Sequence, residues 1–94
     1  MSIGLLTLHF QIPGCSSLKE KRGRLKPLLA RLHREFNISV AEMDHQDIWD
    51  EATVVCALVS NNHRHTQRAL QVIVDWVELN WPDVSLVDDH LDLI

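Results

Sequence analysis

Residues 3–12, IGLLTLHFQI, alternate: Leu6, Leu8, Phe10 and Ile12 fall on one face, and Thr7, His9 and Gln11 on the other. A period of two is the signature of a half-buried strand. Pro13-Gly14 ends it. The period then changes. Ser17-x-x-Glu20 is a capping box that opens a helix, and Leu18, Leu25, Leu28, Leu29, Leu32 and Phe36 form one stripe at helical spacing. Pro27 sits inside that pattern, where it lacks the backbone donor and presses on the Gly23 carbonyl. A kink eased by Gly23 is expected there, the alternative being two shorter helices.

Asn37 to Met43 reads as a second strand, Asp44-His45-Gln46-Asp47 as a turn, and Trp49 to Ser60 as a third strand around ATVVCALVS. Asn61-Asn62 caps a second helix that runs to about Asn80 and is stopped by Pro82. Its stripe is Thr66, Ala69, Leu70, Ile73, Val74 and Val77. Val84 to Ile94 is a fourth strand, with Val87, Leu91 and Leu93 expected inward and Asp88, His90 and Asp92 outward.

The order is β-α-β-β-α-β. Two right-handed crossovers joined by a hairpin give an α+β ferredoxin-like plait: a four-stranded antiparallel sheet with both helices on one face. Ninety-four residues suffice for one core, so residues 1–94 are expected to form one domain. Uncharged runs are too short to span a bilayer, and the first residues lack the cationic start of a signal peptide. A cytoplasmic location without membrane contact is expected. Cys15 and Cys56 then read as free thiols, in neither a CxxC pair nor a zinc spacing.

Charge is distributed unevenly. The chain carries a net charge of −4, yet residues 15–36 hold seven of its nine Lys and Arg: Lys19, Lys21, Arg22, Arg24, Lys26, Arg31 and Arg34. Only Glu20 and Glu35 oppose them within the segment. Wound at about 100° per residue, Lys19, Lys26, Arg31 and Arg34 turn away from the leucine stripe, and Lys21 and Arg22 flank it. Cations near a helix N-terminus oppose the macrodipole, so local stability does not account for them. One reading is a solvated face whose long side chains cover leucines. The other is binding to RNA or a ribosomal particle, in which cations meet phosphates and release counterions. Base-stacking aromatics are missing from the open sheet face, where the first strand offers Thr7, His9 and Gln11 and the fourth is acidic. Nucleic-acid contact therefore belongs on the helix side.

The segments IPGCSSLKEKR, NISVAE, DHQDIW and VVCALVSN, with this element order, resemble the YlxP-like family of small bacterial proteins, a family of unknown function. The likeness runs nearly end to end. It implies a ferredoxin-like fold and no established activity. Genes of that family commonly lie near those for translation initiation factor two and ribosome-binding factor A, which implies a link to translation or ribosome maturation. By position, the family's basic motif falls on Ser17, Leu18, Lys19, Lys21 and Arg22, while Cys15, Pro27 and His45 depart from the commoner pattern.

Other constellations are weaker. His63-x-His65 points two imidazoles in opposite directions if helical, so a solvated cap is the simpler reading. His9 and His90 share the open face if the first and fourth strands are neighbours, near Asp88 and Asp92; a weak metal site and a polar face are the alternatives. Aspartates in the Asp44–Asp47 turn serve backbone geometry. Cys15 precedes a helix N-terminus and lysines, which lower a thiol pKa, but no base accompanies it. Cys56 reads as a small buried hydrophobe. No cofactor is expected, and no catalytic or metal residues are assigned. Val72, Trp76 and Leu79 lie on a flank of the second helix beside its core stripe, as an interface or, for Trp76, as a cover over the sheet edge. Trp49 and Trp81 read as structural. The expected protein is a non-enzymatic binding module for RNA or a ribosomal particle, the alternative being a homo-oligomeric scaffold or protein-binding adaptor.

Overall fold

A computed structural model describes residues 1–43 and 47–94. Its elements are β1 (Ser2–Gln11), α1 (Leu18–Glu35), β2 (Ser39–Met43), β3 (Glu51–Ser60), α2 (His63–Asn80) and β4 (Ser85–Leu93). The strands form one sheet in the order β2-β3-β1-β4, with every neighbouring pair antiparallel. This is the ferredoxin-like plait.

Cross-strand register explains the core. Leu6 faces Cys56, Leu8 faces Val54 and Phe10 faces Ala52, and all six are buried. Leu25, Leu28 and Leu32 of α1 and Leu70, Ile73 and Val77 of α2 close over the same side. Ser17 and Asn62 cap the two helices, accepting the Glu20 and His65 amides at 3.1 and 3.0 Å. Close approach of α2 to β1 depends on Gly4, where a Cβ would stand 2.4 Å from Thr66 Cγ2 and 2.6 Å from Leu70 Cδ1. Gly14 turns the chain after β1 with φ of 71°, a conformation that favours glycine.

Two expectations change, and one alternative falls. α1 runs unbroken through Pro27, so the two-helix alternative does not hold. Pro27 and Gly23 are both exposed, which leaves the carbonyl that Pro27 cannot serve open to water. Val87 does not point inward. The ladder slips between His9 and Phe10, which face Asp88 and Leu86, so Val87 is bulged out and exposed and Leu86 takes the inward position with Leu91. Finally, β3 begins at Glu51, and Trp49 lies half exposed in the turn before it.

On the open side of the sheet, Ile3, Leu5, Thr7, His9 and Gln11 of β1 face Val59, Ala57, Val55, Thr53 and Glu51 of β3. β2 adds Ser39, Ala41 and Met43, and β4 adds Asp88, His90 and Asp92. This face is polar only along β4 and toward one end. Its other end is aliphatic, which the reading from Thr7, His9 and Gln11 alone did not anticipate.

Candidate nucleic-acid interface

The seven cations of α1 separate into two groups. Lys21 lies on the same arc as Leu25, Leu28 and Leu32. Its side chain is 1% exposed, with Nζ 2.9 Å from Glu42 Oε2 on β2 and donating to the Ile48 carbonyl at 2.7 Å. A buried ammonium needs such partners, because leaving water unpaired costs several kcal/mol. Lys21 is therefore a tie between α1, β2 and the chain leading to β3, and its place in the predicted binding set is corrected accordingly.

Arg24 is held as well. Its Nε donates to Asp83 Oδ2 at 3.1 Å, Nη1 to the Pro13 carbonyl at 2.6 Å, and Nη2 to the Asp83 carbonyl. It fastens the turn after β1 to the connection between α2 and β4. The Arg31 guanidinium lies 5.5 Å from the centre of the Trp76 ring and 3.4 Å from Glu35 Oε1. Cation–π contact of this kind is worth about 0.5–1 kcal/mol at a partly exposed site. These two arginines face α2, where intramolecular partners occupy them.

Lys19, Arg22, Lys26 and Arg34 remain. All four are exposed, and among the described residues no carboxylate lies within 4 Å of their charged groups. Lys19, Arg22 and Lys26 follow i, i+3, i+7 spacing on the flank away from α2, a stripe about 10 Å long. Gly23 and Ala30 are exposed beside them and add little relief to the surface. His33 lies about two turns beyond Lys26; its Nδ1 is 3.1 Å from the Ile38 carbonyl, which only accepts, so Nδ1 is the donor in that contact. The sequence reading passed over Arg64 and Arg68. They line an exposed groove on α2 with Gln67 and Gln71. Their i, i+4 spacing was the available signal, and the larger cluster on α1 overshadowed it.

The residues expected at an interface on α2 also divide. Trp76 is half buried, edge-on to Phe36 with centroids 5.7 Å apart and stacked on Trp81 at 6.2 Å. It covers the core edge beneath Arg31. Val72 and Leu79 stay at the surface, 49% and 83% exposed. Trp81 ends α2, with its amide donating to the Val77 carbonyl.

The remaining chemistry-bearing groups are engaged locally. β1 and β4 are neighbours, yet His9 pairs with Thr53 at 3.2 Å and His90 with Asp92 at 3.1 Å. No group of three or more His, Cys, Asp or Glu able to hold a metal occurs among the described residues. Asp44, His45 and Gln46 of the acidic turn lie outside the described residues. His63 Nδ1 stands 2.7 Å from Ser2 Oγ, a nucleophile-and-base pairing in form only. Ser2 is buried and donates its hydroxyl to Thr66, so no substrate reaches it. Cys15 and Cys56 are free and buried. The Cys15 thiol points to the Ser17 carbonyl at 3.4 Å, and burial pushes the Cys56 thiol up to about 12. Among the described residues, no helix is long and apolar enough to cross a membrane.

Residues 3–90 match the family described as "Protein of unknown function (DUF503)". The chain belongs to the DUF503 family. It is also 33% identical over 83 residues to "Uncharacterized protein YlxP" of Bacillus subtilis (strain 168), a match covering 88% of this chain and 89% of that protein. The likeness to YlxP-like proteins seen in the sequence is thus borne out. The DUF503 match takes in α1 whole, including its exposed cations and the buried Lys21.

Proposed function

We propose that this DUF503 protein is a non-enzymatic binding module that docks on RNA, free or within a ribosomal particle, through Lys19, Arg22, Lys26 and Arg34. One observation carries the reading: four exposed cations on one helix, without carboxylate partners among the described residues, in a chain of net charge −4. Lys19 opposes the helix dipole, so a phosphate beside it relieves a local penalty. The acidic β4 row repels a polyanion from the open sheet face, which favours approach from the helix side. A setting in translation or ribosome maturation is supported by the gene neighbourhood of YlxP-like proteins.

Four phosphate contacts give a slope of log K against log salt of about −3 for single strands. The test is fluorescence anisotropy with a labelled single-stranded RNA, together with co-sedimentation on ribosomal subunits. The triple variant Lys19→Glu, Arg22→Glu, Lys26→Glu is expected to lose both while keeping the wild-type circular dichroism. Binding that survives this variant at physiological salt overturns the proposal.

A further inference from the structure

The open sheet face carries a second surface. Ile3, Leu5 and Thr7, Val55, Ala57 and Val59, and Ser39 and Ala41 form an uncharged patch across three adjacent strands. Among the described residues no helix covers it; Val59, Ser39 and Ala41 are exposed, Val59 at 66%, and Ile3, Leu5, Thr7, Val55 and Ala57 are half-buried within the sheet surface. Asp88, His90 and Asp92 border it along β4, and His9, Gln11 and Glu51 border one end. An apolar centre within a polar rim is the anatomy of an association surface. With no cations of its own and an acidic border, it does not suit a nucleic acid.

We infer that this face pairs with the same face of a second copy, in a two-fold dimer whose axis runs parallel to the strands. Strands spaced about 4.8 Å apart, about 34 Å long for β1 and β3, about 31 Å for β4 and about 17 Å for the five-residue β2, make a face of roughly 560 Å². Two copies bury about 1,100 Å², above the roughly 1,000 Å² that a biological interface should clear.

Symmetry selects the arrangement. In the order β2-β3-β1-β4, a two-fold axis along the strands sets each β1 over the partner's β3 and each β4 over the partner's β2. Leu5 then meets the partner's Ala57, a larger side chain against a smaller one, and Thr7 meets the partner's Val55, which has the same branched shape. Packed sheets, about 10 Å apart, interdigitate in this way. The acidic β4 row lies over uncharged Ser39, Ala41 and Met43. An axis across the strands instead stacks one acidic row on the other, which like-charge repulsion disfavours. The helices face outward in this dimer, so it presents two α1 surfaces on opposite sides.

Sedimentation equilibrium of the full chain tests the inference. Wild type is expected to dimerise at micromolar concentration. Ala57→Glu, which places two carboxylates at the centre, is expected to raise the dissociation constant at least about tenfold, with thermal unfolding retained. Val59→Glu alters a site already open to solvent and serves as the second variant, with the same direction expected. Leu79→Glu on α2 is expected to leave the dimer unchanged. A wild-type chain that stays monomeric to millimolar concentration overturns the inference, as does a monomer that captures a different protein through this face. A dimer dissociated by Leu79→Glu but not by Ala57→Glu or Val59→Glu also overturns it.

Discussion

Replacing Lys21 with methionine keeps the apolar stem and removes the ammonium, which isolates the contribution of its charge. In the folded protein that charge lies 2.9 Å from Glu42 Oε2 and 2.7 Å from the Ile48 carbonyl. Breaking a buried ion pair on one side costs about 3–5 kcal/mol. Glu42 is 20% exposed, so its carboxylate keeps part of its hydration and the lower end, about 3 kcal/mol, applies. A 94-residue domain loses about 4–8 °C per kcal/mol, giving a fall in Tm of roughly 12–24 °C. Arg22→Met, one residue along at the surface, is expected to stay within about 0.5 kcal/mol. Urea unfolding followed by tryptophan fluorescence measures both. Lys21→Met with Glu42→Met is expected to recover most of the loss, because two apolar groups replace the pair. A Lys21→Met variant that loses less than about 1 kcal/mol refutes the structural role. The result also bears on binding assays: charge reversal at Lys21 unfolds the helix anchor, so loss of RNA binding there does not report on contact.

Three further outcomes follow from packing and burial. Gly4→Ala drives a methyl group against Thr66 and Leu70, and is expected to cost about 1–3 kcal/mol in the same urea assay. Trp76→Ala removes the contacts to Phe36, Trp81 and Arg31; for a half-buried indole about 2–3 kcal/mol is expected, by thermal denaturation. The Cys56 thiol is raised from 9.0 to about 12 by burial, so between those pH values the unfolded chain ionises while the folded one does not. Stability is therefore lost as pH rises above 9, by up to about 1.4 kcal/mol per unit, and the advantage of wild type over Cys56→Ala is expected to shrink across that window.

The plait itself was legible because its signals are local. Period-two alternation in residues 3–12, the caps at Ser17 and Asn62, and the stop at Pro82 each need only a few neighbouring residues. What escaped depended on partners distant in sequence. Lys21 lies on the apolar arc, but its role is set by Glu42, twenty-one residues away on another element. Arg24 lost its surface role to Asp83 in the same way. Val87 looked inward because a bulge cannot be seen from one strand; the slip appears only against His9 and Phe10. The aliphatic half of the open face carried a signal that went unread: ATVVCALVS is apolar on both alternating sets, so one set had to lie outside the helix-covered core.

The place of β1 has a consequence for biosynthesis. It hydrogen-bonds to β3 on one side and β4 on the other, over separations of up to 89 residues, as between Gly4 and Leu93. The strand that leaves the ribosome early thus waits for the most distal one before both its edges are covered. Until then the backbone edge of β1 that pairs with β4 stays open, a template for pairing with another chain. Chains arrested before residue 85 should aggregate where finished ones do not.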